Sequence, residues 1–403
     1  MRVLVIGWEV SDFMCPLFNT LRKDYATQVD LFELRPKEQI KKEAYVSFDN
    51  VLNLSLRMSD YSASDKLSGL LSWFFISKIL QGKGFVGALR MATLYKKLKP
   101  VISGYDVVHI CYVSNQLFGF FDAIKTAKKL VITWWGSDIL QNNKDFDYHK
   151  QEKLVAIAQK VTVHQREMKE LFLSKFGREY ADKVHEMLVV SDISFLNKFI
   201  NAIPAKQDYI SSFKKKHNIA ENRRIVVVGH SGHKTDNHLD IIQAVAQYSE
   251  LVKDRICLVF PMTYGCDSAT YFDAVKNACD TANIQSVTFR DFLSIEELLE
   301  LRMASEVLLR LSTMDALSLS LCETLCAGNV VITGTWLPYG KLRGNNVYFE
   351  EVYEIGNAGK KLVQVLDNYA AFENRCTGNP ASVMAVFENE NSVKKLYNIY
   401  ANA

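Results

Sequence analysis

The chain has 403 residues, 48% of them hydrophobic and 23% charged, with 48 basic against 45 acidic side chains. That length exceeds one ordinary core and predicts two or three domains, and the balance of apolar to charged residues is that of a globular protein. A formal charge of +3, with no basic low-complexity arm, argues against a nucleic-acid partner.

The first element is RVLVIG, residues 2–7, a β-branched run closed by Gly7 that reads as a strand and not as a signal peptide. Further strands are expected at Gln28–Leu34, Val107–Cys111, Leu130–Trp134 and Lys160–His164, with helical patterns between them. Residues 67–100 interleave aromatic and aliphatic side chains with Lys78, Lys83, Arg90, Lys96, Lys97 and Lys99. Two readings stand for that stretch: core helices with solvated basic faces, or a basic, apolar surface for an anionic membrane or a polyprenyl-phosphate acceptor. Residues 192–222 are polar and strandless, which places the interdomain connection there.

The second half opens with RIVVVG, residues 224–229, an echo of the first strand, and continues with strands at Arg255–Phe260, Ser286–Phe289, Val307–Leu311 and Val330–Thr333. Continuous apolar strands belong in a parallel sheet covered on both faces, and their alternation with helices gives a doubly wound α/β domain. The expectation is two facing Rossmann-like domains, with ligands beyond the strand C-termini in the cleft between them. The expected boundaries are 1–195 for an acceptor domain, 196–222 for a linker and 223–380 for a nucleotide-sugar domain. A terminal helix over 381–403 is free to pack back on the first domain. The cysteines at 15, 111, 257, 266, 279, 322, 326 and 376 form no CxxC pair and no zinc-type spacing. They read as reduced core thiols, and no apolar run approaches the ~18 residues that span a bilayer. A cytoplasmic chain, peripheral at most on the inner face of a membrane, is expected.

Between the strand at 224–229 and the helical pattern after it lies GHSGHKTDNH, residues 229–238. One reading is a metal site on His230, His233 and His238, although zinc ligands usually come with thiolates or carboxylates at set spacings. A second is a polar connection in which Asp236 or Asn237 caps the next helix. In the third, Gly229 and Gly232 let backbone amides approach a phosphate at the helix N-terminus, with Lys234 adding charge. This loop alone leaves all three open.

Residues 286–334 resemble the C-terminal domain of glycosyltransferases with the GT-B fold, most of all glycosyltransferase family four. The resemblance rests on a strand at Val307–Leu311, Ser312 at its end, Asp315 and Glu323 with seven residues between them, and Ala327-Gly328 leading into Val330-Val331. It implies that Glu323 holds the ribose of a nucleotide-sugar donor and that Asp315 faces the donor sugar, with no metal and no other cofactor. Family four has glutamate where this chain has Asp315, and it carries arginine and lysine in the loop where this chain has His230 and an early Lys234. GHSG…NH, with Phe260-Pro261-Met262-Thr263-Tyr264-Gly265, is more similar to a smaller bacterial family. Its members transfer an acetamido-dideoxygalactose (Fuc4NAc) from a dTDP-sugar to a lipid-linked acceptor. The donor set implied is Gly229, His230, Ser231, Gly232, Lys234, Asn237, Tyr264, Arg310, Ser312, Asp315 and Glu323. An arginine inside VLLRLS must not be buried unpaired, so Arg310 is expected to reach the diphosphate or an acid such as Asp291.

In the first half the strand at 130–134 runs into Trp134-Trp135-Gly136-Ser137-Asp138, where family four commonly reads His-Gly. Either Ser137 or Asp138 caps a helix here, or Trp135 walls an acceptor sugar beside Gly7, Gly136 and Ser137. In the second case Asp138 is the lead general base for an inverting transfer. Glu9 and Asp12, in GWEVSD, are further acidic candidates, so the catalytic set is Asp138, Asp315 and Glu9. The function expected is hexosyl transfer from a UDP-, dTDP- or GDP-sugar to a saccharide or lipid-linked acceptor in bacterial glycan synthesis. A sugar-nucleotide 2-epimerase and a catalytically idle GT-B partner are the alternatives. Neither glycine loop has dinucleotide spacing, which argues against an NAD enzyme.

Overall fold

The bare apolar runs of both halves form buried parallel strands. A computed structural model describes the chain except residues 8–13, 35–45, 53–55, 142–146, 190–192, 266–267 and 389. It divides into two units, Met1–Asp192 with Glu390–Ala403, and Ile193–Asn389.

The first unit begins with β1 (Arg2–Gly7), α1 (Met14–Tyr25), β2 (Gln28–Glu33) and β3 (Asn50–Leu52). Three helices follow, α2 (Ala63–Leu70), α3 (Trp73–Leu80) and α4 (Phe85–Ile102). Then come β4 (Val107–Ile110), α5 (Phe121–Ile124), β5 (Leu130–Thr133), α6 (Ser137–Leu140) and α7 (Tyr148–Ile157). The sheet is completed by β6 (Lys160–Val163), α8 (Arg166–Phe176) and β7 (Val184–Glu186). Its order is β3-β2-β1-β4-β5-β6-β7, every pair parallel. Helix α1 buries Met14, Leu17, Phe18 and Leu21, the one-face spacing of a helix laid on a sheet.

The second unit opens with α9 (Ser194–Ala202) and α10 (Lys206–Lys216), then β8 (Arg224–Val228), α11 (His238–Ala246), α12 (Ser249–Val252) and β9 (Ile256–Pro261). It continues with α13 (Ala269–Thr281), β10 (Ser286–Phe289), α14 (Ile295–Ala304), β11 (Val307–Arg310), α15 (Leu319–Cys326) and β12 (Val330–Gly334). Its last elements are α16 (Gly340–Arg343), β13 (Glu350–Val352), α17 (Ala358–Asp367), α18 (Tyr369–Arg375) and α19 (Asn379–Glu388). The order is β10-β9-β8-β11-β12-β13, again parallel throughout. The final helix, α20 (Ser392–Ala401), returns to the first unit, where Tyr397 stacks on Tyr25 with ring centroids 4.3 Å apart.

Residues 196–222 are therefore not a free linker. They form most of α9 and α10, which pack on α14 and α15 and belong to the second unit. Their polarity misled because α10 buries only Ile210, Phe213 and Lys214 of its eleven residues. The strands that apolar runs did not announce are β3, β7 and β13, each three residues long and at or near a sheet edge. The seven described cysteines are buried and form no disulfide with one another.

Candidate functional site

Strand order reverses direction from β1 between β2 and β4 in the first sheet, and from β8 between β9 and β11 in the second. The crevice beyond the C-terminal ends at such a switch point is where doubly wound folds bind ligands. In the second unit the loops after β8 and β11 meet there, and charge joins them. Arg310, the last residue of β11, is 2% exposed, and its Nη1 lies 2.5 Å from Asp236 Oδ1 while Nη2 lies 2.8 Å from Asp315 Oδ2. Asp315 Oδ2 also accepts from the Tyr339 hydroxyl at 2.7 Å. The second oxygen of Asp236 accepts from the His230 and Ser231 amides at 3.2 and 3.0 Å and from the Ser231 hydroxyl at 2.8 Å. Burial works to raise the Asp236 pKa, but the guanidinium of Arg310 holds it well below the ordinary carboxylate value. Burial and the Arg310 charge together lower that of His230, and burial takes His238 down to about 4.

This network bears on three expectations. Arg310 pairs with acids as its burial demands, but with Asp236 and Asp315 rather than Asp291. Asp315 is engaged by Arg310 and Tyr339, all three contacts falling on Oδ2. The amide cradle is also absent as drawn, because Gly229 donates to the Leu309 carbonyl at 3.1 Å and Gly232 to that of Tyr264 at 2.6 Å. Gly229 still needs to be glycine: its φ is +68°, and a Cβ would sit 3.0 Å from both Asp236 Cβ and His238 Nε2. Neither Asp236 nor Asn237 caps α11 through its side chain; the Asn237 amide donates to the Leu311 carbonyl at 2.7 Å. Ser312 likewise bridges the loops, its hydroxyl donating to the Thr235 carbonyl at 3.0 Å. The three histidines diverge, with His238 Nδ1 at 3.1 Å from the Tyr271 hydroxyl and His233 exposed. No described group of His, Cys, Asp or Glu could hold a metal ion.

The groups left facing solvent at this end are His233, Lys234, Tyr264 and Thr313. Glu323 sits on α15, whose N-cap Ser318 accepts from the Leu321 amide. Its Oε2 is 2.8 Å from Nε of the buried Arg302 on α14, so the partner that so apolar a setting demands is an arginine.

In the first unit Asp138 is 0% exposed, and its carboxylate accepts from the Trp135 amide at 2.9 Å and the Val113 amide at 3.4 Å. Burial raises its pKa to about 7, against the pull of those hydrogen bonds. Among the described residues, the Asp138 carboxylate is covered and holds the loop through two amides. Trp135 is half-buried, its indole donating to the Cys111 carbonyl and its ring lying 4.8 Å from that of His164. Ser137 is also half-buried, its hydroxyl 2.8 Å from that of Tyr112, while Gly7 and Gly136 are buried. Gly136, not Ser137 or Asp138, is the N-cap of α6. Glu9 and Asp12 fall outside the described residues.

A family model for 4-alpha-L-fucosyltransferase, glycosyl transferase group 56, matches residues 117–307, a little under half of the chain. The chain has the GT-B fold, two parallel α/β units of the kind seen in glycosyltransferases. Solved structures match the chain along its whole length at low identity. Anabaena HepE, crystallised with UDP and glucose, superposes with a TM-score of 0.67 at 13% identity over 100% of both chains. A glycosyltransferase from Rickettsia africae gives 0.67 at 13% identity, over 99% of this chain and 97% of the other. Sucrose-phosphate synthase from Thermosynechococcus elongatus gives 0.68 at 12%, over 100% and 98%. No curated protein sequence matches the chain.

Sequence reasoning missed Arg302 and Tyr339, and weighed Asp236 only as a helix cap. Arg302 carried a signal, since an arginine in the helical pattern before VLLR calls for an acid on a neighbouring element. Tyr339, 24 residues beyond Asp315, carried none.

Proposed function

We propose that the chain is a glycosyltransferase that binds a nucleotide-sugar donor on its second unit, at the ends of β8 and β11, and transfers the sugar to a saccharide or lipid-linked acceptor in bacterial surface-glycan synthesis. The observation that carries the reading is Arg310. Its buried pairing with Asp236 and Asp315 locks two loops together at the switch point, and a structure stores charge in that way where loops must be held for a ligand. Support comes from the matching structures, which include HepE with UDP and with UDP-glucose. In this reading Lys234 and the positive end of α11 take the diphosphate, without a metal. His233, Tyr264 and Thr313 line the same opening, with Gly229, His230, Ser231, Gly232, Asn237 and Ser312 as its frame. Glu323 keeps Oε2 on Arg302 and offers Oε1 to a ribose hydroxyl. On the first unit Trp135 and Ser137, which follow β5, are offered to the acceptor.

Titration calorimetry with uridine and thymidine diphosphates tests this. Glu323→Gln keeps the side-chain shape and is expected to weaken binding about tenfold or more, because a hydrogen bond to a charged group contributes ~1.5–3 kcal/mol. A 2′,3′-dideoxy nucleotide should lose a like amount on the unaltered protein and nothing further on the variant. Equal affinity of both proteins for the ribose form, with thermal unfolding unchanged, removes Glu323 from the site. Failure of any nucleoside diphosphate to bind overturns the whole reading.

A further inference from the structure

Helices α2, α3 and α4 take no part in the proposed donor site; α4 buries Leu94, Leu98 and Ile102, but α3 and the segments flanking it leave large apolar side chains exposed. Trp73, Ile76 and Leu80 share one face of α3 by helical spacing, and they are 75%, 45% and 76% exposed. The opposite face makes the contacts. Phe74 stacks on Tyr95 with ring centroids 4.2 Å apart, and the buried Lys78 places Nζ 2.9 Å from Asp122 Oδ2. A helix on a soluble surface turns its apolar stripe inward and its lysines to water; α3 does the reverse. The exposed face continues onto neighbouring helices through Leu71 after α2 and through Phe85 and Val86 at the start of α4. The Phe75 and Phe85 rings, 5.3 Å apart, tie α3 to α4. Exposed large apolar side chains are denser over residues 67–86 than in any other described stretch of that length. A patch of this kind marks an interaction surface.

The charge around it selects the partner. From Lys66 to Tyr105 the sequence holds seven basic residues and no Asp or Glu. Lys83, in the turn between Leu80 and Phe85, is exposed, as are Arg90, Lys96 and Lys99. Two copies meeting through this face would oppose lysine to lysine, whereas an anionic headgroup layer over an apolar interior matches both features. No described helix is long and apolar enough to cross a membrane, so the fit is to a surface. We propose that α2–α4 dock the chain on an anionic phospholipid bilayer, with the Trp73–Leu80 face set into the interface and the Lys83 turn at the headgroups. The docking rests on no property of the donor site.

The test is co-sedimentation with vesicles free of donor and acceptor, so its failure leaves the nucleotide reading untouched. Binding is expected to vesicles of phosphatidylcholine mixed with phosphatidylglycerol, weakly or not at all to phosphatidylcholine alone, and to fall with added salt. Trp73→Ser with Leu80→Ser should cut the partition coefficient about tenfold or more, and Lys83→Gln about fivefold. Both changes fall on exposed positions, so thermal midpoints should hold. Leu171→Ser, an equally plain loss of an exposed leucine on α8, should leave partitioning unchanged. Absence of binding to the anionic vesicles overturns the proposal, and so does undiminished binding by the double variant. Concentration-dependent dimerisation in light scattering that the double variant abolishes would assign the face to a second copy and overturn it equally.

Discussion

Asp236 in the second unit and Asp138 in the first hold comparable places, each closing the loop after a central parallel strand and each under 2% exposed. Both take backbone amides. Asp236 has in addition a guanidinium 2.5 Å away, and its pKa falls well below the ordinary value. Asp138 has the amides of Trp135 and Val113, and burial drives it up to about 7. The difference teaches that burial alone favours the neutral acid, and that a buried cation reverses the sign. The rest of each strand end follows suit. The second unit gathers ions, whereas the first runs a neutral chain from Tyr400 through His109 and Thr133 to Thr162, with links of 2.6, 2.7 and 2.6 Å.

The contrast breaks most visibly at Arg310. Arg310→Met leaves two carboxylates without their cation and is expected to cost ~3–5 kcal/mol of unfolding free energy, read by urea denaturation. Adding Asp236→Asn should recover part of the loss. A cost under about 1 kcal/mol, the range of exposed ion pairs, would show that the cluster is not dry.

Asp138 sharpens the same comparison through pH. The folded chain holds its proton more tightly than the unfolded chain does, so this residue favours the fold below its unfolded value of 3.8. That contribution fades as pH rises toward about 7. Stability of the unaltered protein minus that of Asp138→Asn should therefore fall between about pH 4 and 7, with a slope approaching ~1.4 kcal/mol per pH unit. Above that window it should level off. Taking the difference cancels the opposite slope from His238, whose depressed pKa makes the fold gain stability as pH rises. A flat difference profile would mean that the Asp138 proton is no tighter in the fold.

The neutral chain offers the smallest effect. Thr162→Val removes one hydroxyl link and is expected to cost about 1 kcal/mol in the same denaturation experiment. A loss as large as that of Arg310→Met would mean that the first unit depends on its polar chain as heavily as the second depends on its ions.

Both β-Gly openings, the alternation of strand and helix and the two-unit α/β architecture were legible because a parallel strand covered on both faces must be apolar throughout. RVLVIG and RIVVVG became β1 with Gly7 and β8 with Gly229, and the expected strand ends lie within a residue of those observed. The spacing from Asp315 to Glu323 also placed an acid on α15 and another in the loop before it. What the sequence could not decide was which charge meets which. Arg310 is 74 positions from Asp236, Arg302 is 21 from Glu323, and Tyr400 is 291 from His109. Pairing inside a core depends on distances of a few ångströms that only the packed sheets set, whereas burial period depends on near neighbours along the chain. The apolar run at 67–100 shows the same division. Its composition fits a core helix or a membrane face equally well, and it was the packing of Lys78 against Asp122 that turned Trp73, Ile76 and Leu80 outward.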